Sequence, residues 1–211
     1  TKELEAAEAA AREKAAALTA ARREAAARFS RDVMEELAFL DMPGVSLEVA
    51  MEPVPLGTGG GDRVEFLIAA NPGEPPKPIA RIASGGELSR IMLAIKSVLA
   101  DADDIDTLIF DEIDTGISGR AARKVGIKLR QTAASRQVLC VTHLAQIASL
   151  AHHHLLISKT VREGRTYTEV TPLDREARER ELARIIGGEV TGPALEAARE
   201  MLEKAAGESA E

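Results

Sequence analysis

The chain has 211 residues, 45% of them hydrophobic, so it can fill a core and is not disordered throughout. With 34 acidic against 27 basic residues its formal net charge is −7, which excludes a global positive field drawing it to nucleic acid; any such contact must be local or supplied by a partner. A single cysteine, Cys140, excludes an internal disulfide and fits a reducing, cytoplasmic compartment, and 2% aromatic residues leave no stacking platform for single-stranded nucleic acid.

From Thr1 to about Ala27 the residues are almost all Ala, Glu, Lys and Arg, without Gly or Pro, which predicts one continuous helix. Its only large apolar residues are Leu4 and Leu18, so it is expected to lie against a second alanine-rich helix that is not part of this sequence. Phe29, Val33, Leu37 and Leu40 then fall on one helical stripe able to dock on a core, and Asp41-Met42-Pro43-Gly44 stops the helix. Beyond it the period becomes two. Val45, Leu47, Val49 and Met51 alternate, as do Val64, Phe66 and Ile68, predicting antiparallel strands across a Gly/Pro-rich loop with Gly59-Gly60-Gly61. The stretch 71–78 holds four prolines and is expected to be irregular, presenting the segment from Ile79 to Arg90.

After Gly86, Leu88, Ile91, Met92, Ile95 and Leu99 recur at helical spacing, and Thr107-Leu108-Ile109-Phe110 reads as a buried parallel strand. A helix near 120–133, a strand at 138–141, a helix at 143–151 and a strand at 155–157 follow, with 167–170 as a hairpin partner. Two closing helices near 174–186 and 192–206 flank Gly187-Gly188. This alternation is α/β ordering. No apolar run approaches the roughly 20 residues needed to cross a bilayer.

Three places carry chemistry. Ser84-Gly85-Gly86-Glu87 opens a helix, where free first-turn N–H groups and the helix dipole favour an anion; an ordinary serine N-cap with flexible glycines explains the same residues. Asp111 and Glu112 end an apolar strand, where α/β sheets place ligands and where two carboxylates can hold Mg²⁺ and orient water; capping of the next turn is the plainer alternative. His143 follows the next strand and could reach a phosphate near Asp111, or simply start a helix. The adjacent His152, His153 and His154 diverge along one element and read as a solvated helix end rather than a metal site, and Cys140 reads as a small buried hydrophobe.

The order of these motifs, with Asp114 in the turn after the acids, resembles the C-terminal half of an ABC-type ATPase head: signature, Walker B, D-loop and switch histidine. More narrowly, 71–75, 84–92, 110–119, 141–148 and the closing 182–202 are similar to the RecN family of SMC-like ATPases of DNA double-strand-break repair. The resemblance implies an α/β fold, the C-terminal lobe of an ABC/SMC-type head with a P-loop NTPase-like sheet. Residues 1–40 would be a returning coiled-coil helix and 41–211 the head lobe. It implies ATP and Mg²⁺ as cofactors. Asp111 would hold Mg²⁺ and Glu112 act as general base, while His143 would contact the γ-phosphate. Ser84, Gly85, Gly86 and Glu87 would bind nucleotide held by a second head, with Asp114 crossing that interface. Implied partners are an N-terminal Walker A lobe with the opposite coiled-coil arm, a second head in an ATP-dependent homodimer, and DNA through the assembly, with no membrane and a nucleoid-associated, cytoplasmic location. No Gly-Lys pair occurs, so the GxxxxGK[ST] phosphate loop is missing and the chain alone is expected to be inactive. Two other readings remain: a transporter nucleotide-binding domain and a non-catalytic coiled-coil interaction module. The basic residues Arg81, Arg90, Lys96, Arg120, Arg123, Lys124, Lys128 and Arg130 are candidate DNA contacts that a solvated face would explain equally.

Overall fold

A computed structural model describes residues 1–82, 84–100, 102 and 104–207. Position 83 of the expected presenting segment and positions 208–211 of the expected head lobe lie outside the described residues. The chain divides into two compact units, Thr1–Asp103 and Asp104–Glu211. The sequence separates a helix (1–40) from a body (41–211), whereas the structure groups that helix with the strands and helix that follow it.

In the first unit, uninterrupted strong helix formers give α1 (Lys2–Phe39), about 57 Å long at 1.5 Å per residue. Residues 1–10 are all exposed, as the lack of large apolar side chains requires. The C-terminal end is the buried part, through Val33, Leu37 and the following Leu40, none of them more than 1% exposed. The middle of α1 corrects the sequence reading, because Leu18 has a partner within this chain. It packs on the turn between β1 (Ser46–Gly57) and β2 (Gly60–Ala69), where a Cβ added to Gly60 (φ 98°) would lie 2.9 Å from Leu18 Cδ2. Thr19 donates to Asp62 at 2.6 Å, Arg22 pairs with the same carboxylate at 3.5 Å, and Phe29 tilts against Phe66 with ring centroids 5.5 Å apart.

The two strands run further than the glycines and prolines suggest, meeting at a turn in which Gly57 pairs with Gly60. Pro53 and Pro55 are tolerated because β1 is an edge strand, and the register shifts between Pro53 and Gly57. The proline-dense loop is likewise not wholly irregular: β3 (Lys77–Pro78) pairs antiparallel with β2 and leads through a single 3₁₀ turn, Ile79–Arg81, towards α2 (Gly85–Val98). The buried face of α2 is Ile91, Leu93, Ala94 and Ile95.

In the second unit, β4 (Thr107–Phe110) and β5 (Gln137–Cys140) pair parallel in register, Phe110 opposite Cys140, joined through α3 (Gly119–Thr132). The short apolar run predicts a strand buried on both faces. Instead Leu108 and Phe110 are buried while Ile109 is 71% exposed, and Leu139 and Val141 are also exposed. One face of the pair is buried and the other open, and an apolar parallel sheet open on one face lacks a layer that such sheets ordinarily carry. Cys140 is accordingly half-buried rather than fully enclosed.

The helix expected over 143–151 contracts to α4 (Ala145–Ala148). Arg178 holds the turn beyond it, donating to the Ala151 carbonyl at 2.8 Å and more weakly to those of Ala148, Ser149 and His152. The hairpin β6 (Leu155–Arg162) and β7 (Arg165–Pro172) forms its own two-stranded sheet, closed by Glu163 and Gly164 at φ 51° and 73°. Asp174 caps α5 (Arg175–Gly187) by accepting the Ala177 N–H at 2.8 Å, and Gly188 ends it in the left-handed region. Alanines let α5 and α6 (Gly192–Gly207) approach closely: Leu182, Ala183, Ala194, Ala198 and Leu202 form one core with Ala145 and Ala148.

Candidate functional site

The first unit carries the signature-like turn. Ser84 is extended (φ −91°, ψ 117°) and its Oγ accepts the Glu87 N–H at 3.4 Å, so the serine is the N-cap of α2. The capping alternative is therefore realised, and it leaves the anion-binding character of the helix end in place, because a long weak bond occupies only one of the first-turn donors. Gly85 is exposed and Gly86 buried. Arg90, one turn on, is only 6% exposed, and burial pushes its guanidinium below the usual range while Glu87 opposes the shift. A buried cation on α2 does not belong to the solvated face that the sequence allows for it. Its apolar neighbours Ile91 and Met92 were the only local signal of burial. Arg130 is similarly occupied, donating to the Ala205 carbonyl at 2.6 Å and tying α3 to α6.

The second unit gathers the remaining candidates at the carboxyl end of its parallel strands. The β4–β5 pairing continues one step, the Val141 N–H bonding the Phe110 carbonyl at 3.0 Å, so the chain leaves both strands on the same side. Asp111 and Glu112 are exposed there, and Asp111 Oδ1 accepts the Glu112 N–H at 2.8 Å. Glu112 adopts φ 56°, a left-handed conformation that costs a non-glycine residue about 1–2 kcal/mol and that nothing in the sequence announces. The turn brings Ile113 and Asp114 inside, at 0% and 4% exposure.

Asp114 then reaches the neighbouring strand end. Its Oδ2 accepts the Thr142 hydroxyl at 2.6 Å and the His143 backbone N–H at 2.9 Å, and lies 3.0 Å from His143 Nδ1. Thr142 Oγ1 in turn accepts the Leu144 N–H at 3.1 Å. The His143 side chain itself is 76% exposed. The structure thus joins Asp114 and His143 directly, 29 residues apart in sequence, and places Asp111 and Glu112 three and two residues before that contact. His152 and His153 are exposed and His154 half-buried, in the loop after α4 rather than at a helix end.

A single exposed carboxylate such as that of Asp111 suits magnesium in its usual manner, held by one or two carboxylates and by substrate phosphates. Among the described residues no group of three or more His, Cys, Asp or Glu side chains is gathered to hold a metal without such phosphates.

No family model matches the chain. Among curated proteins it is 43% identical over 196 residues to the DNA repair protein RecN of Halalkalibacterium halodurans, covering 90% of this chain and 35% of that one. It is 47% identical over 155 residues to RecN of Bacillus subtilis, covering 73% of this chain and 27% of the relative. The chain belongs to the RecN family. It corresponds to a C-terminal portion and spans about a third of the length of the RecN proteins it matches. In fold it is similar to the Smc head domain with a coiled coil and joint from Pyrococcus yayanosii, at a TM-score of 0.52 and 21% identity, covering 82% of this chain and 28% of that one. The α/β head-lobe fold expected from the motifs is thus the one observed. No helix among the described residues is long and apolar enough to cross a membrane.

Proposed function

We propose that this RecN segment is the C-terminal lobe of an ATPase head that acts in DNA double-strand-break repair. The observation that carries the reading is the cluster at the carboxyl ends of β4 and β5: two exposed carboxylates beside a histidine that is anchored across the strands. That is where an α/β sheet meets a phosphate ligand, and the three side-chain types divide the work of phosphoryl transfer among them.

Asp111 would hold Mg²⁺, which supplies charge neutralisation on the phosphates when bound. Glu112 would accept the proton of the attacking water, and its exposed, strained position suits a group that must meet solvent and nucleotide. His143 would present its ring to the γ-phosphate. Ser84, Gly85, Gly86 and Glu87 would receive the phosphates of nucleotide held by a second head, so that ATP joins two heads and hydrolysis parts them. Because catalysis here is mostly positioning and electrostatics, dividing the donors between heads ties turnover to assembly.

The chain has no Gly-Lys pair and so no GxxxxGK[ST] loop to hold the β- and γ-phosphates. The open apolar face at Ile109, Leu139 and Val141 supports a missing lobe that brings both that loop and the absent layer. Without it this chain would not hydrolyse ATP. The exposed first ten residues of α1 would pair with the opposite arm of a coiled coil, and DNA would be engaged by the assembly in the cytoplasm, at the nucleoid.

The test is Glu112→Gln in the full-length protein. ATP binding should persist, turnover should fall by about 100-fold or more, and ATP-joined dimers should accumulate in sedimentation velocity. Turnover at the wild-type rate would reject the assignment.

A further inference from the structure

We propose that Asp114 is a positioning residue for His143, fixing the ring in the Nδ1–H tautomer so that Nε2 is the atom turned to the ligand. The motif order alone assigns Asp114 to a contact between heads; the structure spends its carboxylate within one chain. Two donors bond Oδ2, the Thr142 hydroxyl at 2.6 Å and the His143 backbone N–H at 2.9 Å, and His143 Nδ1 stands 3.0 Å from the same oxygen. A carboxylate oxygen accepts, so its place 3.0 Å from the ring favours a hydrogen on Nδ1 over a lone pair facing the oxygen, and in the neutral imidazole the lone pair then sits on Nε2.

The geometry leaves little freedom for any other arrangement. Asp114 is 4% exposed and is held from the backbone side by the His143 N–H, so its carboxylate cannot swing to follow the ring. The ring, by contrast, is 76% exposed, with Nδ1 beside the carboxylate. This is the division of labour by which a carboxylate sets the tautomer and direction of a working histidine. Thr142 stiffens the loop by donating to Asp114 while accepting the Leu144 N–H, which lies just before α4. Only the identity of what Nε2 meets rests on the nucleotide reading above; the tautomer does not.

A residue that merely caps the 142–144 turn would not govern the ring, which separates the two roles. In Asp114→Asn the amide can still accept the Thr142 hydroxyl and the backbone N–H, while its NH₂ can donate to Nδ1 and move the hydrogen to Nε2. The measurement is long-range ¹H–¹⁵N correlation on ¹⁵N-histidine-labelled full-length protein at about pH 8.5, above the ordinary imidazole range of roughly 6.5. The His143 signal is assigned by its loss in His143→Ala. We expect the Nδ1–H form in the wild type and the Nε2–H form or a mixture in Asp114→Asn, with ATP turnover lowered about 10- to 100-fold and kcat affected more than KM. A wild-type ring in the Nε2–H form overturns the proposal, as does a ring unchanged in a folded Asp114→Asn protein. Should that variant fail to fold, the wild-type spectrum alone decides. If the tautomer shifts as expected and His143→Ala still hydrolyses ATP at the full rate, the positioning role stands and the nucleotide reading of His143 fails.

Discussion

Gly126 offers a sign test of the packing around the site. It lies in the middle of α3, and a glycine there ordinarily weakens a helix, so Gly126→Ala should stabilise by about 1 kcal/mol if the position were free. The structure says otherwise. A Cβ at 126 would stand 2.7 Å from Leu150 Cδ1, 3.2 Å from the Gln146 carbonyl oxygen and 3.2 Å from Ile147 Cα. Leu150 Cδ1 is the end of a flexible side chain, though one only 2% exposed, whereas the other two contacts are backbone atoms of α4 itself. Relief therefore requires moving α4, and overpacking of this kind costs about 1–3 kcal/mol, which outweighs the propensity gain. The expected net is a loss of up to about 2 kcal/mol, a fall in Tm of up to roughly 8 °C for a chain of this size. Thermal unfolding followed by far-ultraviolet circular dichroism reads it directly. Because α4 begins two residues after His143, the same substitution should also broaden or shift the His143 ring signal. A Tm that rises would refute the close approach of α3 to α4.

The left-handed Glu112 predicts that stability and activity part company. Glu112→Gly relieves about 1–2 kcal/mol of backbone strain and forfeits about 0.5–1 kcal/mol through the freer unfolded chain, so urea unfolding should show no loss or a gain of up to about 1.5 kcal/mol while turnover disappears. A loss above about 1 kcal/mol would contradict the strain. Cys140 is held as the thiol by burial first and then by Asp114 and Asp111, which push its pKa from 9.0 up to about 12. The folded state thus prefers the protonated form. The associated stability is complete below pH 9 and is lost as pH rises towards 12, and iodoacetamide at about pH 8 should alkylate the folded protein far more slowly than the urea-unfolded chain. Equal rates would show that the thiol is not so held.

Several corrections share one origin. Leu18 read as a seam residue awaiting a second helix, yet its neighbour is Gly60 in a turn 42 positions on, which no helical period encodes. Pro53 and Pro55 read as loop, because a local rule cannot know that β1 lies at a sheet edge where a missing N–H costs nothing. Arg90 read as one more surface cation, and its burial depends on what covers α2. The acids at 111 and 112, in contrast, were legible because an apolar run ending in carboxylates is a strictly local pattern, and the order of four such patterns narrowed the family.

Helix propensity, the alternation of apolar residues and the succession of short motifs are properties of neighbours along the chain, and they determined the long α1, the β1–β2 pairing, the parallel β4 and β5, and membership of the RecN family. The open face of the parallel pair, the left-handed turn at Glu112 and the closure of Asp114 onto His143 were decided only by the tertiary structure. Each depends on which distant segment arrives at a given place, and burial and hydrogen bonding across that distance have no signature in the residues themselves.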